Sequence, residues 1–139
     1  MRLFPPAWIM GRRLLEDRVV GSYTLPRGTI VLASTLAMHR SERWWTDADR
    51  FVPRRWLTAD GEFDEWAPGQ PKGAWFPFGF GNRRCIGEQF AWMEAVLVLA
   101  TLGRSWELRR ASSAPISLLP NVTLRPGGDT RMVVRRRAQ

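Results

Sequence analysis

The sequence predicts an α+β fold in which one long apolar helix is set among short strands. Three observations carry that reading. Apolar residues run almost all the way round 88–102, the pattern of a helix covered on most sides. Short β-branched segments parted by Gly and Pro turns flank it. Residues 47–75 show little periodicity and are punctuated by Pro53, Asp60-Gly61, Pro68-Gly69 and Pro71, so they read as loop.

Taken in order, residues 1–4 read as the end of a helix that Pro5-Pro6 stops. Residues 18–20 and 23–25 frame Gly21-Ser22 and form a hairpin. Pro26-Arg27-Gly28 is a turn, 29–32 a strand, and 34–39 a short helix. Ser41 suits the N-cap of a further turn. The helix over 88–102 ends with Gly103 in the position that favours a left-handed residue. Short strands follow at 106–109, 116–119, 122–124 and 132–135, and there is no internal repeat.

The chain has 139 residues, the size of one ordinary domain, and 45% hydrophobic residues allow a core. A single cysteine excludes an internal disulfide and suits a reducing, cytoplasmic setting. No signal-peptide pattern is present, and the longest apolar run falls short of the ~20 residues a membrane span needs. An anchor upstream of Met1 is left open. The net charge of +8 is carried almost wholly by arginine. Those arginines are scattered and belong to no basic-aromatic module, which argues against nucleic acid. Arg135-Arg136-Arg137 reads as a solvated tail.

The densest information surrounds the cysteine, in Phe78-Gly79-Phe80-Gly81-Asn82-Arg83-Arg84-Cys85-Ile86-Gly87. Glycines 79, 81 and 87 permit positive φ and close backbone approach. Cys85 lies where the helix begins, beside unpaired amides and a positive dipole end, a setting that favours a sulfur anion. Arg83 adds positive charge. A thiolate so held suits iron under a flat ligand. The bland alternative, a small buried hydrophobe, needs none of these neighbours.

The spacing Phe78-x-x-Gly81-x-Arg83-x-Cys85-x-Gly87, continued by Phe90-Ala91-x-x-Glu94, resembles the haem-binding signature of the cytochrome P-450 (haem-thiolate monooxygenase) family. The resemblance covers essentially the whole chain but only the last third of a typical member. It implies a mainly α fold with small β-sheets, of which this is the C-terminal part, incomplete on its own. Within 1–139 it divides the chain into a helix end, hairpin and meander (1–75), a Cys-ligand loop (76–87), a buried helix (88–103) and C-terminal strands (104–139).

The resemblance implies haem b (iron protoporphyrin IX) as cofactor, Cys85 as its proximal iron ligand, and Arg83 and Arg12 as propionate partners. Arg12 is otherwise a surface arginine, as adjacent Arg13 is. Phe78 would pack beside the sulfur, and Gly87 completes the loop. Phe80 is either turn packing or part of the same shell. Trp8, Ile9 and Met10, with Asn121 and Val122, would line a substrate pocket; ordinary core packing is the alternative for each. Implied partners are an electron-donor protein (ferredoxin, flavodoxin or reductase), O2 and an apolar small molecule that receives one oxygen atom. His39 falls in a His-Arg pair of the family and reads as a structural hydrogen-bonding residue.

The chain departs from the family pattern after His39-Arg40, where Ser41-Glu42 stands for the usual Asp-Pro, and in an ion network. Arg2 would be the arginine of a Glu-x-x-Arg helix whose glutamate precedes Met1. Arg55, in Pro53-Arg54-Arg55-Trp56, would be a second arginine of that network, but Arg54 stands where glutamate is usual. Two arginines without the carboxylate predict a weakened or open site. The alternative function is a truncated remnant that binds haem weakly or serves as a non-catalytic scaffold.

Overall fold

The structure, a computed structural model, describes residues 1–65 and 70–138. The turn signal at Pro68-Gly69 and the last position of the 104–139 segment lie outside them. The chain divides into two compact units, Met1–Pro77 and Phe78–Gln139.

In the first unit, β1 (Met10–Arg13) pairs antiparallel with β4 (Ile30–Ala33), Arg12 lying opposite Val31. The expected hairpin forms between them, from β2 (Arg18–Val20) and β3 (Tyr23–Leu25). Gly21 at its turn has φ 60°, which glycine adopts without the clash of a Cβ. The short helix α1 (Thr35–His39) starts at Ser34, whose hydroxyl accepts from the Ala37 N–H as an N-cap. Pro53–Trp56 forms a tight 3₁₀ turn.

The core of this unit is Trp45, Ala48 and Ala74, with Met38, Trp56 and Trp75 packed on it. Ring centroids lie 5.8 Å apart for Trp45–Trp56 and 4.8 Å apart for Trp56–Trp75. These offset aromatic contacts replace the aliphatic core that so loop-rich a segment cannot supply.

In the second unit, α2 (Glu88–Ser105) runs directly into β5 (Trp106–Arg110), which pairs with β8 (Met132–Arg136). A second hairpin joins β6 (Ser117–Pro120) to β7 (Leu124–Gly127). Among the described residues, every buried hydrophobic side chain lies in the first unit.

Several expectations are corrected. Residues 1–4 are not helical. Gly103 lies inside α2 rather than beyond its end. Alanine would cost less there, but one mid-helix glycine is only about 1 kcal/mol worse, too little to stop an established helix. Residues 121–123 form a bend, so the strand expected at 122–124 starts at Leu124. The arginine tail is a strand edge: Arg135 and Arg136 belong to β8, and the Arg137 N–H donates to the Ser105 carbonyl at 2.9 Å. Finally, α2 is not covered. Phe90 is 66% exposed and Leu99 72%.

Candidate haem-ligand loop

The loop that carries Cys85 is closed by its own backbone. The Cys85 N–H donates to the Phe78 carbonyl at 2.9 Å, and the Arg84 N–H donates to Gly81 at 2.9 Å across a 3₁₀ turn over Gly81–Arg83. Gly79 at φ 79° and Gly81 at φ 59° supply the left-handed residues that this path requires. Gly87 has φ −85°, so its expected left-handed role is corrected. A Cβ there would lie 3.8 Å from the Cys85 sulfur, an ordinary contact. Cys85 is free and exposed, three residues before α2 begins.

The two arginines of the loop are used differently. Arg84 forms a two-pronged ion pair with Glu88, from Nε to Oε2 and from Nη2 to Oε1, the latter at 2.6 Å. Arg83 is exposed and makes no hydrogen bond or ion pair among the described residues. Glu88 is buried, and the hydrogen bonds from Arg84 hold its carboxyl below the usual range, with a smaller contribution from the Trp92 side chain. Phe78 is half-buried, and its ring lies 6.0 Å from that of Trp92. Glu88 and Trp92 were missed in the sequence. The spacing 88, 92 was the signal for that pair, because residues four apart share a helix face, whereas Arg84 lies before α2 in non-helical backbone.

The remaining predicted site residues fall elsewhere. Arg12 is exposed on β1 and donates to its neighbour's Gly11 carbonyl at 2.8 Å. Trp8, Ile9 and Met10 are half-buried in the first unit, and the Trp8 carbonyl accepts from the Leu36 N–H at 3.2 Å. Asn121 and Val122 sit in the bend between β6 and β7, with Val122 98% exposed. Phe80 is 51% exposed.

Arg2, expected in a carboxylate network, has backbone partners here. Arg2 is buried, and its guanidinium donates to the carbonyls of His39, Ala48 and Arg50. It also stands 5.2 Å from the Trp45 ring centre, with Arg55 at 5.9 Å. Burial first, then Arg55 and Arg40, press the pKa of Arg2 below its ordinary value. Arg55 reaches the Thr46 carbonyl at 3.1 Å but leaves its Nε buried without an acceptor. A cavity of about 100 Å³ lies beside both arginines. The expected weak site is therefore half corrected. Arg2 is satisfied by backbone oxygens, whereas Arg55 is not.

His39 is fully buried and accepts the Phe76 N–H on Nε2 at 2.9 Å. Burial pushes its pKa down to about 4. Among the described residues, no group of three or more His, Cys, Asp or Glu side chains is placed to hold a metal ion. No helix there is long and apolar enough to cross a membrane.

This arrangement, one thiol on a glycine loop ahead of a long helix, has counterparts among known proteins. The Cytochrome P450 family profile matches residues 1–129. The chain is 35% identical over 136 residues to "Putative cytochrome P450 132" of Mycobacterium tuberculosis, which covers 98% of this chain and 28% of that protein. It is 36% identical over 133 residues to "Cyclooctatin synthase" of Streptomyces melanosporofaciens, covering 96% of this chain and 28% of that protein. The crystal structure of the cytochrome P450DA heme domain superposes with a TM-score of 0.84 at 29% identity, over 99% of this chain and 29% of that one. The chain belongs to the cytochrome P450 family, whose cofactor is haem, and it spans under a third of the length of these relatives.

Proposed function

We propose that this chain is the proximal, C-terminal portion of a haem-thiolate monooxygenase, with Cys85 as the haem-iron ligand. The observation that carries this reading is the free, exposed Cys85 at the end of a backbone-closed loop, next to a glycine and to Arg83, which has no partner among the described residues. The donor set fits haem, an iron that takes one soft protein ligand and presents anionic carboxylates at its edge.

Bound haem supplies dioxygen activation, and the protein supplies ligation, orientation and exclusion of water. Cys85 would hold the iron through its sulfur. Its N–H is committed to Phe78, so the loop cannot swing away without losing that bond. Arg83 is free to pair with a propionate, and a guanidinium can grip a carboxylate with two parallel bonds. Arg12 is a second propionate candidate, once it gives up its bond to Gly11. Phe78 would keep the sulfur side dry. Trp8, Ile9, Met10, Asn121 and Val122 would contribute to a pocket for an apolar substrate. An electron-donor protein would complete the reaction, which inserts one oxygen atom from O2 into that substrate. Relatives whose printed names are hydroxylases and monooxygenases support the reaction class.

The chain alone is catalytically incomplete on this reading. The exposed apolar surface of α2, and the absence of buried apolar side chains among the described residues of its unit, support that. They equally favour the second reading, a remnant that binds haem weakly. The test compares this chain with one extended upstream so that a Glu-x-x precedes Arg2. The first reading expects stoichiometric haem and donor-dependent oxidation of an apolar substrate from the extended chain only. An in-frame stop codon immediately upstream would favour the remnant. Stoichiometric haem with turnover from the 139 residues alone would contradict the incompleteness.

A further inference from the structure

Arg84, Glu88 and Trp92 form a linked set at the two ends of the Cys85 loop. Arg84 precedes the cysteine and is gripped by Glu88 through two bonds. Trp92 lays its ring against Phe78, with centroids 6.0 Å apart, and the Phe78 carbonyl anchors the Cys85 N–H. Glu88 thus holds the cysteine end of the loop directly, while Trp92 packs on its other end.

Simpler roles for Glu88 do not account for this. A carboxylate that only complements the helix dipole gains as much when exposed, and burying it carries a desolvation cost. Glu88 is buried at 7% exposure, against 51% for the side chain of Arg84. A capping carboxylate would stand three residues into the helix and reach back to the cap's N–H. Glu88 is the first helical residue, and both its oxygens are spent on Arg84.

We propose that Glu88 is a positioning residue for Cys85, holding Arg84 so that the cysteine end of the 78–85 loop is set before haem arrives and Arg83 alone of the loop guanidiniums stays available to an anion. The consequence for ligation rests on Cys85 being the haem ligand. The closed loop itself is tested without haem.

The test is residue-resolved amide hydrogen exchange on the full 139-residue chain without haem. Glu88→Ala should speed exchange at the Cys85 and Arg84 amides by about tenfold or more while leaving amides in the interior of α2 near their original rates. Glu88→Gln keeps one acceptor oxygen but sets an NH2 donor against the other Arg84 N–H, so it should restore only part of the protection. Arg84→Ala removes the other half of the same ion pair, so a similar loss at the Cys85 amide is expected even if the Glu88 variant does not fold. Unchanged protection at Cys85 in both Glu88→Ala and Arg84→Ala overturns the proposal. So does a uniform loss along α2, which would make Glu88 a helix-start stabiliser only.

A haemin titration adds the second arm, read by the red-shifted absorption of the reduced carbon monoxide complex. Glu88→Ala should lower the fraction of bound haem that shows this band without lowering total binding. An unchanged fraction overturns the positioning role. If the parent chain binds haem without the band, the ligand assignment fails, and the exchange data still decide the brace.

Discussion

The Phe76 backbone N–H donates to Nε2 of His39 across 2.9 Å, and the two rings meet edge to face with centroids 5.3 Å apart. This bond ties α1 to the segment that leads into the cysteine loop. It requires a neutral imidazole, because a protonated one has no lone pair to offer.

That requirement fixes a pH dependence. The folded pKa of His39 is about 4, below the ordinary 6.5, so the unfolded chain takes up the proton first. Stability from this group is therefore fully present above pH 6.5 and is lost as pH falls toward 4. The loss should total on the order of 3 kcal/mol. Urea unfolding followed by tryptophan fluorescence at pH 7.5 and pH 4.5 measures it. His39→Phe should lower stability at neutral pH by about 1–3 kcal/mol and flatten the acid limb.

Arg2 is held by oxygens from three separated positions, His39, Ala48 and Arg50. Removing the guanidinium leaves buried carbonyls unpaired. Arg2→Ala should cost about 2–4 kcal/mol. Arg2→Lys should recover little of it, since a single ammonium cannot reproduce the planar fork. Thermal melts of the three proteins test this.

The two loop arginines should separate cleanly. Arg83 has no partner among the described residues, so Arg83→Ala should shift stability by no more than about 0.5 kcal/mol. The same change should weaken haem binding, because it removes a propionate partner. A melt and a haemin titration on one sample check both parts.

The sequence carried much of this fold. The β2–β3 hairpin was legible because Gly21-Ser22 is a local turn signal between β-branched residues. The start of α2 was legible because an uninterrupted helical pattern begins at Glu88. What escaped was non-local. β1 has no alternation in Met10-Gly11-Arg12-Arg13 and exists because Ile30–Ala33 pairs with it. The arginines of β8 looked like a tail because their strand character comes from β5. The backbone carbonyls that satisfy Arg2 lie 37 to 48 residues away in the chain, and nothing in the local sequence announces them. The loop around Cys85 was the reverse case. Its glycines and spacing are a local code, and only the brace from Glu88 and Trp92 went unread.

The apolar side chains of α2 are on the surface, with Leu97 60% and Leu99 72% exposed. Leu97→Glu with Leu99→Glu should therefore change the melting temperature little, since the pair costs under about 1 kcal/mol at exposed positions. It should also reduce self-association, because exposed apolar patches drive aggregation. Light scattering during a melt reads both.

The most direct measurement of the central claim is the absorption spectrum of the reduced carbon monoxide complex, taken for the haem-loaded protein and for Cys85→Ser. A thiolate ligand predicts the red-shifted band in the parent protein and its loss in the serine variant. The same band in both proteins would mean that another residue holds the iron.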